Sequence, residues 1–250
     1  MREWAQPAAL ALRFLSRLSP PGEEMARFER DLPRALACFP LAGALLGAIT
    51  ALVLWAAALV FPLYLAVLVA LAFDAWLTRG LHEDAVADLV DGLGGGRAPE
   101  DVLRIMKNSQ IGAFGALALG FAVALRAAGL VALEDPGRAV VALVVAGAAS
   151  RLLMLAVMWR VPALPGLGAR VAGAMDGRRF AQAVLLAAPV LLAGAWIAPG
   201  GMALALAAGL AFLAWYRALL LRRLGGSNGD AMGAAAYAGL VGTTLALAAW

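Results

Sequence analysis

The sequence predicts an all-α fold: a polytopic bundle of about seven transmembrane helices, with an Asp-rich helical loop between the second and third spans. Three observations carry that prediction. Hydrophobic residues fill 64% of the 250 positions and charged residues 14%, too little polar surface to coat a soluble globule of this size. Apolar stretches long enough to cross roughly 30 Å of hydrocarbon, about 20 helical residues each, recur along the chain. One segment, 78–110, departs from that pattern. The chain therefore reads as one integral membrane domain, 1–250, with 1–34 as an interfacial or cytoplasmic N-terminal segment and 78–110 as the catalytic loop.

In chain order, residues 1–18 place Leu10, Phe14 and Leu18 on one side at helical spacing, as an interfacial helix would. Arg13 and Arg17 interrupt this first apolar run, so it is not read as a secretory signal, and the N-terminus is expected to stay in the mature protein. Ser19-Pro20-Pro21-Gly22 is expected to end the helix. After the charged stretch Glu23–Arg34, spans are predicted at about 36–61 and 62–77, with Phe61-Pro62 as their turn. Five more follow at about 111–133, 139–159, 181–198, 201–221 and 231–250, the third and second from last separated only by Ala198-Pro199-Gly200-Gly201.

Lys and Arg are retained on the cytoplasmic side of a membrane, and an N-inside arrangement satisfies that rule. It places the N-terminal segment and the loops 78–110, 160–180 and 222–230 inside, leaves Arg138 as the one clearly external basic residue, and sends Trp250 to the periplasm of a bacterial inner membrane. The net charge of +4 comes from residues scattered through these loops rather than from one aromatic-laced patch, so nucleic acid is not an expected partner. Arg222 and Arg223 need no purpose beyond this pattern. Within the spans, where charges usually face protein or water, Arg126 reads either as such a residue or as one that snorkels or pairs locally, and Arg151, preceded by Ser150, as one facing a functional cavity. No acid is expected mid-span.

Cys38 and His82 are the only residues of their kinds, which rules out intramolecular disulfides and multi-Cys/His zinc sites; any metal must be held by oxygen. Chemistry concentrates in 78–110. A helix over Asp84–Asp91 puts Asp84, Asp88 and Asp91 within an arc of roughly 60°, with Val86, Leu89 and Val90 on the rest of the surface. Gly92 and Gly94-Gly95-Gly96 are expected to terminate it. Two carboxylates about 4 Å apart repel by roughly 4 kcal/mol at an effective dielectric of 20, so the cluster calls for a counter-charge. Mg²⁺ suits it, because it takes hard oxygen ligands and usually combines one or two carboxylates with water and substrate phosphate. Pro99 opens a second helix bearing Arg104 and Lys107, followed by Ser109, which supplies candidate phosphate contacts beside the acids. His82 is a candidate general base, as is an Asp; on an uninterrupted helix His82 would point almost opposite Asp84. The Gly-rich turn Leu224–Asp230 adds one acid, Asp230, and a backbone able to approach phosphate.

These residues resemble the cobalamin synthase family, the adenosylcobinamide-GDP ribazoletransferases, over nearly the whole chain. GLHEDAVADLVDG (Gly80–Gly92) is similar to the family's G-[LF]-H-x-D-G-x-A-D-x-x-D-G signature, and IMKNSQIGAFG (Ile105–Gly115) to its I-M-[KR]-D-S-R-x-G-x-x-G segment. Further similarity lies in Phe14–Pro20, Phe39–Gly43, Ser150-Arg151 and Leu224–Asp230. Ala85 replaces the family's Gly, Asn108 its Asp, Gln110 its Arg, and Arg79 the first Gly of a pair; the changes at 108 and 110 together keep the local charge.

The resemblance implies a Mg²⁺-dependent transferase that joins α-ribazole or its 5′-phosphate to adenosylcobinamide-GDP and releases GMP. It implies that Asp84, Asp88 and Asp91 hold the metal, that His82 and these acids form the catalytic group, and that Arg104, Lys107, Ser109, Arg151 and Asp230 contact the substrate. The lipid bilayer is its medium, and a homo-oligomer or a complex with other cobalamin-assembly enzymes is compatible with it. Two other readings compete. Asp88-Leu-Val-Asp91-Gly92 reproduces the opening of a CDP-alcohol phosphotransferase motif, whose second acidic pair is missing here. A small transporter would need acids inside its spans.

Overall fold

The computed structural model describes residues 2–18, 31–165 and 167–250. The expected stop at Ser19–Gly22 and most of the Glu23–Arg34 stretch lie outside the described residues. Helices α1 (Arg2–Leu15), α2 (Phe39–Ala58), α3 (Leu63–Thr78), α4 (Leu81–Gly95), α5 (Pro99–Met106), α6 (Ala113–Ala132), α7 (Pro136–Arg160), α8 (Leu167–Ala172), α9 (Gly177–Ile197), α10 (Pro199–Arg223) and α11 (Gly229–Ala248) follow one another, and no strand occurs among the described residues. Residues 31–35 and a 3₁₀ turn at Leu36–Cys38 extend α2 to one long apolar helix, Asp31–Ala58.

Six helices, including the extended α2, are long and apolar enough to cross a membrane, and α3 makes a seventh together with the bent segment after it. Six of the seven predicted spans are present as helices of that length, with ends shifted by a few residues; the second, predicted at about 62–77, is the 16-residue α3 and its bent continuation. Their boundaries follow local chemistry. Asp135, Asp176 and Asn228 accept the backbone N–H groups of Arg138, Arg179 and Ala231 and so cap α7, α9 and α11. Pro99, Pro136 and Pro199 occupy first-turn positions, where a missing N–H costs nothing. Pro62 separates α2 from α3 as expected.

The bundle has an inner and an outer layer. In their most apolar windows, 67% of the residues of extended α2 and of α7 and 72% of those of α11 are buried, against 22%, 17% and 11% for α6, α9 and α10. The inner helices approach closely because small residues meet there, as lipid-solvated bundles require. A methyl group added at Gly43 of α2 would collide with the carbonyl of Gly147 in α7 and with the side chain of Arg151. One added at Gly239 of α11 would meet Ser150. The outer helices leave Trp196, Leu185, Leu192 and Phe121 exposed, a surface that only lipid satisfies.

Helix α1 packs on α2 and on the 3₁₀ turn, with Ala11 and Leu15 fully buried and Phe14 stacked on Phe39 at 5.6 Å. The buried stripe is thus centred one residue beyond the predicted Leu10-Phe14-Leu18 line, and Leu18 lies outside the helix and exposed. Protein contact sets the rotation of this helix. Arg17 fastens it by donating from Nε to the Trp76 carbonyl at 2.6 Å and from its backbone N–H to the Leu77 carbonyl at 2.8 Å.

Between α3 and α4 the chain bends by 86°. Arg79 and Gly80 both adopt left-handed backbone, each with φ of 63°, and two such residues in succession turn a helix sharply. Gly80 takes this conformation without strain; Arg79, standing where the resembled family has Gly, does not. Its guanidinium donates to the carbonyls of Arg13 at 3.1 Å and Ser16 at 2.7 Å, which offsets that cost. Helix α4, 15 residues long, is too short to span a bilayer and turns across the end of α3.

The close crossing gives the first prediction. Gly147→Val should destabilise the bundle by at least about 1–3 kcal/mol, since backbone rather than a flexible side chain must give way. Gly120→Val, at a site on α6 where a Cβ meets nothing within 4 Å, should be neutral. The folded fraction on fluorescence-detected gel filtration in detergent compares them directly.

Candidate active site

Helix α4 has a buried side and an acidic side. His82, Ala85, Val86 and Leu89 are buried in the bundle, while Asp84 is exposed and Asp88 half-buried. Gly233 of α11 sits against the methyl of Ala85, so the inner helix has room for the side chain that this sequence carries in place of Gly. The helix runs through Gly92, which packs on Met106 and Val102, and stops at Gly96. The sequence therefore places the acids correctly on a helix, but Gly92 serves packing rather than termination.

Two clamps hold the far end of α4. Arg223 donates at 2.8 Å to the carbonyls of both Leu93 and Gly96, satisfying acceptors that a helix C-terminus leaves open. This corrects the expectation that Arg223 serves only the charge pattern of the loops. Asp91 accepts the N–H of Gly112 at 2.6 Å and that of Gly115 at 2.8 Å, which seats its carboxylate on the positive end of α6. A Cβ at either glycine would strike those oxygens. The Gly-x-x-Gly of 112–115 thus has a steric reason.

Asp230, in the first turn of α11, is brought beside the acidic side of α4. The Asp88 carboxyl is pushed up to about 6 by burial and then by the charges of Asp84, Asp230 and Asp91. Among the described residues no ion pair joins Asp84, Asp88 or Asp230 to a cation. Nor do three of the acids approach closely enough, among the described residues, to enclose an ion by themselves. A hard-oxygen set that lacks a counter-charge and stays open fits a Mg²⁺ ion whose remaining ligands come from substrate and water.

The loop around Asp230 is pinned rather than free. Ser227 donates its N–H to the Pro162 carbonyl and accepts from Leu164, both at 2.8 Å. A methyl at Gly226 would press on Pro162, so this glycine serves close packing against 162–164. Asn228 donates to Asp230 at 3.2 Å, and the Tyr216 hydroxyl donates to the Ala231 carbonyl at 2.7 Å. The loops 78–110, 160–165 and 222–230 consequently meet at one end of the bundle.

Other candidates are distributed unevenly. Lys107, Asn108, Ser109 and Gln110 form an exposed turn, closed by an Asn108 side chain accepting the Gln110 N–H at 3.2 Å, that leads directly to the Gly112–Asp91 contact. Arg104 is instead paired with Asp101 at 3.1 Å on an exposed helix face, an interaction worth little. His82 lies on the side of α4 away from Asp84, only 2% exposed. Burial first, and then Arg151 and Arg126, hold its imidazole pKa well below the usual value, so it is neutral. Both its ring nitrogens lack partners among the described residues. Arg151 is equally buried; it donates to Ser150 at 2.9 Å and leaves its Nε unpaired.

Beneath α4 lies a buried ion pair that sequence reasoning missed. Asp74 sits inside the second span, contrary to the expectation of acid-free spans. One of its oxygens accepts from Arg126 at 2.7 Å and the other from the Thr50 hydroxyl at 2.9 Å. Arg126 in turn lies over the ring of Tyr237 at 5.8 Å. Arg126 therefore neither snorkels nor pairs locally; it ties α2, α3, α6 and α11 together. Its acid is 52 residues away, a separation at which no helical spacing signals a pair. Arg126→Ala leaves Asp74 charged and alone, so it should cost about 3–5 kcal/mol. Arg126→Ala combined with Asp74→Ala should cost less than Arg126→Ala by itself, as thermal unfolding in detergent would show.

The family described as cobalamin-5-phosphate synthase matches residues 7–248. Among curated proteins, the adenosylcobinamide-GDP ribazoletransferase of Rhizobium etli (strain CIAT 652) is 36% identical, with 99% of this chain and 98% of that protein covered. The proteins of the same name from Mesorhizobium japonicum and Leptothrix cholodnii are each 40% identical, covering 93% and 79% of this chain and 89% and 78% of their own lengths. No solved structure matches. A family match over almost the full length, together with relatives collinear from end to end, shows that this chain belongs to the cobalamin-5-phosphate synthase family.

Proposed function

We propose that this chain is an adenosylcobinamide-GDP ribazoletransferase that acts in the final joining step of cobalamin assembly, with Mg²⁺ held by Asp84 and Asp88 and approached by Asp230. The observation that carries the reading is the convergence of these carboxylates, from two helices, without a cation of the protein's own. In the proposed reaction a hydroxyl oxygen of α-ribazole or its 5′-phosphate forms a bond to the phosphorus attached to cobinamide, and the bond from that phosphorus to the GMP oxygen breaks. Mg²⁺ supplies charge neutralisation on the diphosphate.

The protein's part is positioning. Asp84 and Asp88 lie one helical turn apart on α4, and Asp230 of α11 is near enough for its charge to act on both. Asp91, with both oxygens engaged by Gly112 and Gly115, sets the start of α6 and hence the Lys107–Ile111 turn, whose Lys107 and Ser109 are suited to phosphate oxygens. Arg104 rests on Asp101 in an exposed pair weak enough to be exchanged for a substrate phosphate. His82, on the side of α4 away from Asp84, and Arg151 of α7 are both buried inside the bundle.

The Lys and Arg residues of the loops at this end support a cytoplasmic orientation for it, in a bacterial inner membrane and with the N-terminus inside. A C-terminal alkaline phosphatase fusion is then expected to be active and a C-terminal green fluorescent protein dark; the reverse pattern would invert the orientation.

Detergent-purified protein given the activated corrinoid, α-ribazole and Mg²⁺ should release GMP, and chelation should stop it. Asp84→Asn and Asp88→Asn should each lower turnover by at least about 100-fold, the scale of losing one electrostatic stabiliser. Full activity in both variants refutes the metal assignment. The raised Asp88 pKa gives a pH dependence. Folding favours its protonated form, so its ionisation costs the metal-free protein nothing below about pH 4 and its full amount above about pH 6. Mg²⁺ should therefore raise the melting temperature most above pH 6 and progressively less below it, and Asp88→Asn should flatten that profile.

A further inference from the structure

A cavity of about 610 Å³ lies inside the membrane-spanning part of the bundle, between α7, α9, α10 and α11. Its wall is almost wholly apolar, with Leu152, Phe180, Leu191, Met202, Phe212 and Gly239 among the lining residues. From Met202 to Leu213 the lining of α10 rises about 16 Å, roughly the depth of one leaflet. It is far from the acidic side of α4 in character, and nothing in the proposed reaction uses it.

One end of the cavity is marked by charge and aromatic rings. Ala156 and Leu213 line the wall, and one turn further along the same helix faces stand Arg160 and Arg217. The two arginines are adjacent, since Arg217 Nε donates to the Arg160 carbonyl at 3.1 Å. Both are exposed, and among the described residues neither has a carboxylate partner. Trp159 stacks on the lining residue Phe180 at 5.2 Å and carries Arg160 over its ring at 5.1 Å. Exposed Trp215 stands beside Phe212. Tryptophans at the level of unpaired arginines are the pattern of a headgroup boundary. From that boundary the cavity runs inward, as an acyl chain does.

We propose that this cavity is a specific site for one anionic phospholipid, its acyl chain inside the cavity and its phosphate on Arg160 and Arg217. The apolar wall selects the chain, and the rim selects the charge. The rim is also joined to the loop end of the bundle, because Pro162, two residues beyond Arg160, accepts the Ser227 N–H.

The test titrates the full chain, delipidated in detergent, with phosphatidylglycerol and separately with phosphatidylcholine under native mass spectrometry. A single-lipid adduct that favours phosphatidylglycerol is expected. Arg160→Gln with Arg217→Gln should weaken phosphatidylglycerol by about 25-fold, an arginine near a headgroup contributing about fivefold, and leave phosphatidylcholine unchanged. Gly209→Leu is the second variant. A Cβ there meets no atom within 4 Å, so the larger side chain enters without displacing backbone and obstructs the path of an acyl chain along α10. It should remove adducts of both lipids while the gel-filtration profile stays the same. Equal binding of the two lipids, or adducts that survive Gly209→Leu, overturns the proposal. A change from dimer to monomer in Gly209→Leu also overturns it and assigns the cavity to a second copy of the chain.

Discussion

Mutual repulsion among carboxylates that the fold prevents from separating is the constraint on which this architecture turns. Asp84 and Asp88 are fixed by one helix, Asp230 by another, and the Asp88 carboxyl is raised to about 6 by burial first and then by the charges of Asp84, Asp230 and Asp91. A solvated acidic face would relieve such repulsion by rotating its side chains into water. Here α4 cannot rotate, because its opposite side is buried against α11. The unfavourable field is thus a property of the scaffold, maintained by interactions elsewhere, and it is the kind of local conflict that folded proteins tolerate at sites of function.

Those supporting interactions are individually ordinary and collectively specific. The 86° turn at Arg79-Gly80 directs α4 across the end of α3. Arg223 closes its C-terminus, and Asp91 joins it to the N-terminus of α6. Beneath, the Asp74–Arg126 pair locks four helices whose packing α4 rests on. A buried pair of this kind does not by itself favour folding over a well-packed apolar alternative. Its value here is registry: only one relative placement of α3 and α6 lets the two charges meet in a medium that tolerates neither alone.

Much of this was legible in the sequence. Hydrophobic runs located the six long spans because lipid imposes a minimum length on each, and the 100° rotation per residue placed Asp84 and Asp88 on one side of α4 correctly. The positive loops identified which segments share an end, and the Ser227–Pro162 contact joins two of them. What the sequence concealed depends on partners distant in the chain. Asp74 lies in an apolar run expected to hold no acid, and its role is visible only with Arg126 beside it. Asp91 reads as a third ligand, and its further part, accepting the amides of Gly112 and Gly115, becomes visible only when α6 is beside it. The Arg104–Asp101 pair, by contrast, was visible at i,i+3 spacing.

The central claim is that a divalent cation completes the acidic face of α4. An anomalous difference map from crystals grown with Mn²⁺ in place of Mg²⁺, with the GDP-activated corrinoid bound, tests it most directly. The account predicts one strong peak in direct coordination, about 2.0–2.3 Å, of oxygens of Asp84 and Asp88 and in contact with the diphosphate. A substrate-bound map with no peak there, or with the metal held elsewhere in the bundle, would contradict it.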